Sequence, residues 1–144
     1  MMNADEVNAL LDQIFPQISR GGKRIYACEN IAPMQAVMRL SFNERQLRPG
    51  GTISGPAMFG LADVALYAAI LAHIGPVALA VTTNMSINFL RRPEPRDLIA
   101  TCTLLKLGAR LAVGEVLLRS EGSDEIVAHV TGTYSIPPRA KAAK

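Results

Sequence analysis

The sequence predicts an α+β domain in which one antiparallel β-sheet wraps around a single long, buried central helix. Of its 144 residues 49% are apolar and 19% are charged, which excludes an intrinsically disordered chain. Residues 57–73 are apolar on every side, as a helix in a protein core is. Four segments of alternating polarity follow, joined by short connections. Strands joined in this way pair antiparallel, because parallel neighbours need long crossovers.

The first third of the chain predicts one helix and two strands. Apolar side chains at helical spacing indicate a helix over residues 5–15, which ends before Pro16. After a glycine turn, residues 24–29 form a strand candidate. Residues 36–42 alternate between apolar and polar side chains and predict a second strand.

The central helix is expected to begin at a loop and to end at a glycine. Pro56 suits the first helical position, where its missing N–H costs nothing. Gly75 and Pro76 stop the helix. The apolar range 57–73 is short for a bilayer span and carries Asp63 in its middle, so we expect a core helix and no membrane association.

The second half of the chain predicts four strands. They cover residues 81–89, 98–105, 111–118 and 126–136. In the first of them, Thr82 alternates in step with Asn84, Ser86 and Asn88, and the last three form a polar row. No repeat or linker interrupts the pattern, so residues 1–144 are treated as one domain with a basic tail over 137–144.

Charge and cysteine content exclude several classes of function. Fifteen Lys and Arg against twelve Asp and Glu give a net charge of +3, and the chain has no Trp and no basic run with aromatic residues. Nucleic-acid binding is therefore not expected. Cys28 and Cys102 form no CxxC motif and combine with no suitably spaced histidines, so we expect no metal and no cofactor. Without a signal-peptide layout at its N-terminus, the chain is predicted to be cytoplasmic, with reduced thiols.

Asp63 is the first candidate for chemistry. It lies too deep in the helix to cap it, and a buried carboxylate must find a partner, reach water or take up a proton. A structural Asp bonded to a loop or to a second subunit is the alternative. Gly55, at the start of the helix, offers a free N–H and allows a ligand carbonyl to approach closely. The pair suits acyl transfer, with a donor aimed at the oxyanion and a base or nucleophile nearby; ordinary helix capping by residues 54–56 is the alternative.

These features resemble a known family. A glycine loop, a long apolar helix containing Leu61-Ala62-Asp63 and four antiparallel strands are similar to the hotdog-fold acyl-CoA thioesterases, and most of all to their PaaI-like, phenylacetate-pathway branch. The resemblance covers roughly residues 40–136. It is supported by the segments 81–83, 88–93, 97–100, 107–110 and 128–133.

The resemblance implies catalytic roles. Gly55 would polarise the thioester carbonyl, and Asp63 would be the nucleophile or the general base. The histidine common in the family's motif falls on Ser54, and its second glycine falls on Pro56. Ser54 would either position water or the carbonyl through its hydroxyl or only cap the helix.

It also implies substrate-binding residues. The upstream Asn or Gln of the family has no clean match: Arg48 stands at the expected spacing and Gln46 two residues earlier. Thr82 matches a position that orients water in some members, with a plain strand residue as the alternative. Tyr67 would line the acyl pocket or pack in the core.

Coenzyme A carries several phosphate charges that basic residues could bind. Candidates at strand ends and turns are Arg91, Arg92, Lys106 and Arg110, with ordinary solvation as the alternative. The resemblance further implies a homodimer whose sheets join edge to edge around a shared active site, or a homotetramer of two such dimers. The polar row of residues 84, 86 and 88 would then face solvent or the other dimer.

The expected function is hydrolysis of a small or medium acyl- or aryl-CoA thioester. Two alternatives remain open. The missing histidine favours a non-catalytic acyl-CoA-binding protein. An acyl-thioester hydratase or dehydratase has less support, because such relatives pair a catalytic histidine with an acid. Here His73 and His129 lie outside the loop and the first helical turns.

Overall fold

A computed structural model describes residues 1–138. The basic tail expected over 137–144 lies outside the described residues from position 139 onward.

The described chain contains two α-helices, two short 3-10 turns and eight strands. The helices are α1 (Ala4–Ile14) and α2 (Gly55–Ile74), and the 3-10 turns are Pro16–Ile18 and Glu44–Gln46. The strands are β1 (Ser19–Arg20), β2 (Lys23–Arg24), β3 (Tyr26–Ala32), β4 (Gln35–Leu40), β5 (Val81–Phe89), β6 (Leu98–Leu107), β7 (Leu111–Ser120) and β8 (Ile126–Ser135).

Six strands form one sheet, and β1 and β2 form a separate hairpin. The order in the sheet is β3-β4-β6-β7-β8-β5, and every neighbouring pair is antiparallel, as the short connections predicted. β5 pairs with β8 rather than with β6, the next strand along the chain. One long side of β5 therefore lies at an edge of the sheet.

Helix α2 packs across this sheet because it has no polar face to turn toward water. It contacts all six strands of the sheet, and α1 covers part of it. It begins at Gly55, one residue before the predicted start, because the Ser54 Oγ caps it by accepting from the Ala57 N–H at 3.3 Å. By length and composition α2 could cross a membrane, but 67% of its most apolar stretch is buried within the protein, as in a core helix.

A β-bulge in β5 changes one predicted side-chain direction. Register with β8 shifts between Thr82 and Asn84, so that Thr82 lies opposite Tyr134, a buried residue. An extra residue in one strand reverses the alternation beyond it. Thr82 therefore faces inward, whereas strict alternation predicts the same face as residue 84; the polar row at 84, 86 and 88 is exposed.

Helix α1 is fastened to the sheet by one side chain. The Asn8 amide donates to the carbonyl of Cys28 at 3.0 Å and accepts from its N–H at 2.8 Å. The apolar face of α1 is buried as well, through Val7 and Leu11. This attachment places the end of α1, Ile14 and the following Phe15, beside Asp63.

Candidate active site

The carboxylate of Asp63 is held by two hydroxyl groups. Thr82 Oγ1 donates to Asp63 Oδ1 at 2.6 Å, and the Tyr134 hydroxyl donates to the same oxygen at 2.7 Å. The Tyr134 hydroxyl also lies 3.2 Å from the Asp63 backbone carbonyl. The partners that a half-buried carboxylate needs are thus side chains of β5 and β8, rather than a loop backbone.

An open cavity of about 490 Å³ lies beside this carboxylate. Its walls combine the end of α1, helix α2 and the segment that leads into β5, and they include Phe15, Asp63, Tyr67, Val81, Thr82 and Tyr134. The Tyr67 ring stacks on Tyr134 with centroids 6.1 Å apart, and Phe15 tilts against its other side at 6.1 Å. The cavity therefore offers a partly aromatic space of mixed polarity next to one acidic group.

The tyrosines around Asp63 stay protonated. Burial, and then the negative charge of Asp63, raise the pKa of Tyr134 far above its usual value of 10.0. Burial raises the pKa of Tyr67, and burial together with the Asp63 charge raises that of Tyr26. A phenol in this state remains a hydrogen-bond donor throughout the physiological pH range.

A second cavity, of about 360 Å³, lies at the start of α2. Gly55 is in its wall, and within residues 1–138 its N–H has no hydrogen-bond acceptor. A Cβ atom at this position would stand 3.1 Å from the half-exposed Phe89 ring, so a larger residue would require that ring to move by a few tenths of an ångström. The free N–H and the positive end of the helix make this a suitable place for a polarised carbonyl oxygen.

Three arginines surround this second cavity. Arg48, Arg91 and Arg92 all contribute to its walls, and Arg48 and Arg92 also share a smaller adjoining cavity. Arg91 forms an exposed ion pair with Glu125 at 3.2 Å. The helix start therefore lies in a cationic environment that suits an anionic ligand.

Gly55 and Asp63 do not meet within one chain. Eight residues separate them along α2, a rise of about 12 Å. They also line different cavities, Gly55 near Phe89 at one end of β5 and Asp63 near Thr82 at the other end. A single reacting carbonyl cannot contact both groups of the same chain.

The remaining predicted site residues lie apart from these two cavities or serve the local structure. Gln46 uses its side chain within its own loop: its amide donates to Ser41 at 2.9 Å and its Oε1 accepts from Asn43 at 3.1 Å. Arg110 donates to the Ile136 carbonyl at 3.1 Å and lines a different cavity. Tyr67, which lines the Asp63 cavity, donates its hydroxyl to the Ala78 carbonyl at 2.8 Å. Nowhere in residues 1–138 do three His, Cys, Asp or Glu side chains form a group that could hold a metal ion.

Two residues of the site were not identified from the sequence. Tyr134 contacts Asp63 only because β8 pairs with the bulged strand β5. Phe89 covers Gly55 from the far end of β5. Alternation in β8 indicates that Tyr134 faces the core, but only tertiary structure gives it a partner.

Comparison with known proteins gives a consistent result. A sequence profile described as the thioesterase superfamily matches residues 50–127, more than half of the chain. A solved structure from Silicibacter sp. TM1040, provisionally described as a thioesterase, is 52% identical, has a TM-score of 0.86 and is aligned over 96% of this chain and 94% of its own. A Pseudomonas aeruginosa protein, provisionally named an esterase, is 29% identical over 95% of this chain and 100% of its own length.

A more distant likeness concerns the fold alone. The Escherichia coli PaaI protein from the phenylacetic acid degradation operon is 19% identical, with a TM-score of 0.78 over 93% of both chains. Together with the Silicibacter structure, this likeness confirms the predicted hotdog fold.

Proposed function

Because this chain belongs to the thioesterase superfamily and is a thioester hydrolase, we propose that it hydrolyses a small or medium acyl- or aryl-coenzyme A thioester through Asp63. The observation that carries the proposal is the Asp63 carboxylate, held by two hydroxyls at the wall of a partly aromatic cavity. The acyl group would occupy this cavity, with Tyr67 in its wall.

Asp63 can act in two ways that give the same products. As a nucleophile, a carboxylate oxygen forms a bond to the carbonyl carbon, the carbon–sulfur bond breaks, and water then hydrolyses the resulting anhydride. As a general base, the carboxylate takes a proton from a water molecule that attacks the same carbon. In both cases the sulfur leaves as the coenzyme A thiolate, and the acyl group leaves as a carboxylate.

The Gly55 N–H would stabilise the oxygen of the tetrahedral intermediate. It is a preorganised donor at the positive end of a helix and is not engaged by another acceptor in residues 1–138. Ser54 supports this role by capping α2, which fixes the first turn in place. Removing one such donor from an oxyanion site typically costs roughly 10²- to 10³-fold in kcat.

A second copy of the chain would bring Gly55 and Asp63 together. β5 is an edge strand whose two ends expose Val81 and Phe89, at 55% and 54% of their surface. Two β5 edges that pair antiparallel about a two-fold axis place the Phe89 end of one chain beside the Val81 end of the other. Gly55 of the partner subunit then lies next to Asp63.

Pairing of this kind would also cover the exposed edge of β5. An unpaired strand edge with large apolar side chains is prone to association, and proteins normally cover or block it. We propose a homotetramer as the larger assembly, in which two such dimers pair through the exposed polar row at residues 84, 86 and 88. Its expected compartment is the cytoplasm.

The phosphates of coenzyme A would bind the cationic surface at the helix start. Arg48, Arg91 and Arg92 lie in one wall of the Gly55 cavity and can pair with phosphate oxygens. Arg110 and Gln46 line other cavities of the same chain. In an assembly, they could therefore contact only a substrate that is bound at another subunit.

A panel of acyl-CoA thioesters tests the proposed function. Purified protein is incubated with short, medium and aryl thioesters while free coenzyme A thiol is measured, and Asp63→Asn is assayed in parallel. We expect thiol release from at least one substrate and a loss of about 10²- to 10⁴-fold in Asp63→Asn, the usual contribution of a general base. Tight binding without thiol release across the panel would instead identify an acyl-CoA-binding protein.

A further inference from the structure

We infer that Tyr134 is a positioning residue that, together with Thr82, fixes Asp63 Oδ1 and leaves Oδ2 as the oxygen that reacts. The inference rests on the proposed function of Asp63. It adds which of the two carboxylate oxygens reacts. It also adds that Tyr134, which is not among the predicted site residues, sets the orientation of the carboxylate.

The hydrogen bonds around Asp63 are strongly asymmetric. Oδ1 accepts from Thr82 at 2.6 Å and from Tyr134 at 2.7 Å, whereas Oδ2 accepts from no group within residues 1–138. A carboxylate oxygen offers about two lone-pair positions, so two donors occupy Oδ1 fully. Only Oδ2 keeps the lone pairs needed to attack a carbonyl carbon or to take a proton from water.

Tyr134 is held independently of the carboxylate that it contacts. Its ring is buried, and it stacks on Tyr67 at an interplanar angle of 21°. Tyr67 is in turn fixed by its hydrogen bond to Ala78. The hydroxyl of Tyr134 is thus a preorganised donor, and replacing it by hydrogen leaves the ring packing in place.

Two effects of these donors oppose each other. Hydrogen bonds to a carboxylate stabilise its charge and reduce its reactivity, which would make the hydroxyls inhibitory. Against this, the two donors fix the rotation of the carboxylate, and misplacement of a reacting atom by about 1 Å can cost roughly 10²-fold in rate. The donors bind only one of the two oxygens, so the other oxygen keeps its reactivity. Fixing the position of the carboxylate is therefore the larger effect, and removing a donor lowers kcat.

The test compares variants that differ by one hydroxyl. Tyr134→Phe removes one donor, and Thr82→Val removes the other with little change in shape. Tyr26→Phe is the matched control, because the Tyr26 hydroxyl lies in the field of Asp63 but donates no hydrogen bond to it within residues 1–138. We expect a 10- to 100-fold loss of kcat with KM nearly unchanged for Tyr134→Phe and for Thr82→Val, and wild-type values for Tyr26→Phe.

A double-mutant cycle separates positioning from general structural support. If Tyr134 acts through Asp63, then Tyr134→Phe has no further effect on kcat in the Asp63→Asn protein. Thr82→Ser, which keeps the donor, should lose much less activity than Thr82→Val. Urea unfolding of each variant, compared with that of the wild-type protein, shows whether the variant is folded under the assay conditions.

Each outcome decides the inference. Wild-type or higher kcat in Tyr134→Phe overturns it, as does an equal loss of kcat in the wild-type and Asp63→Asn backgrounds. An active wild-type enzyme with an unaffected Tyr134→Phe variant overturns this inference alone. A wild-type protein without activity on the whole panel overturns the proposed function and this inference with it.

Discussion

The side chain of Leu66 fills the space that a side chain at Gly132 would occupy. A Cβ atom at Gly132 would lie 2.5 Å from Leu66 Cδ1, and one at Gly114 would lie 2.5 Å from Leu66 Cδ2. The two glycines face each other on β7 and β8 and form a slot for this one residue of α2. Leu66 follows Asp63 by three positions and shares its side of the helix, so the slot helps to set the rotation that directs Asp63 toward β5 and β8.

Gly132→Ala should therefore impair both folding and catalysis. The added methyl group overlaps Leu66, and overpacking of this kind costs about 1–3 kcal/mol in the free energy of unfolding. We also expect a lower kcat, because α2 must shift and Asp63 with it. Urea unfolding and steady-state kinetics measure the two effects.

Leu66→Ala provides the control for that prediction. Alone it leaves a cavity, but combined with Gly132→Ala it removes the overlap, so the double variant should be more stable than the sum of the single effects predicts. Strictly additive losses would show that the slot does not exist in solution.

Gly55→Ala should reduce kcat while the protein stays folded. A Cβ atom at Gly55 meets the Phe89 ring at 3.1 Å, so the ring must move, and we expect this to disturb the space beside the Gly55 N–H where the substrate carbonyl would bind. Alanine favours the helix by up to about 1 kcal/mol over glycine, which offsets part of the cost of moving Phe89. Unchanged kcat together with unchanged unfolding would remove Gly55 from the site.

The arginines at the Gly55 cavity should affect binding rather than chemistry. Arg92→Gln or Arg48→Gln is expected to raise KM for acyl-CoA severalfold with kcat nearly unchanged, because these arginines line the Gly55 cavity but have no part in the proposed chemistry at the carbonyl. The effect should shrink at high ionic strength, where exposed charges are screened. Arg96→Gln, which removes an exposed arginine paired with Glu94, is the control. An equal rise of KM in that control would mean that only overall charge matters.

The buried thiols should make the protein less stable at alkaline pH. Burial raises the pKa of Cys102 to about 12 and that of Cys28 to about 11, from 9.0 in the unfolded chain. Above pH 9 the unfolded chain loses these protons first, so the stabilising contribution present below pH 9 is lost as pH rises through the folded-state pKa values.

Urea unfolding midpoints between about pH 8 and pH 11 measure this loss. The midpoint should fall with rising pH, and Cys102→Ala should flatten the decline even though it lowers stability overall. A midpoint that stays constant or rises with pH would contradict the assignment. The same burial should keep both thiols unreactive toward alkylating reagents until the protein unfolds.

Periodicity was enough to predict the elements that build the site, but not their contacts. The apolar range 57–73 and the four alternating segments correspond to α2 and to β5–β8, because burial imposes a repeat that can be read locally. Strict alternation puts Thr82 on the same face as Asn84, because it contains no sign of the bulge between them. Tyr134 was missed because only the register between β5 and β8 brings it to Asp63.

The separation of Gly55 from Asp63 has a different origin. Both positions follow from local sequence, one at a helix start and one in an apolar helix. Their distance along α2 means that, in the mechanism we propose, one chain does not hold a complete site. A symmetry axis leaves no periodic pattern in a single sequence, so before the structure only the family resemblance implied a shared site; the edge position of β5 then supplies the pairing that we propose.

In the mechanism that we propose, Asp63 of one protomer and Gly55 of the partner subunit act on the same thioester carbonyl. A complementation experiment tests this arrangement. Unfolded Asp63→Asn and Gly55→Ala chains are mixed in equal amounts and refolded together, and thiol release is measured on the best acyl-CoA substrate. With equal amounts of the two chains, half of the refolded dimers are mixed ones, each with one intact site, so we expect the mixture to gain about a quarter of wild-type activity over what the unmixed, impaired parents contribute. Activity in the mixture no higher than the average of the two parents would contradict the claim.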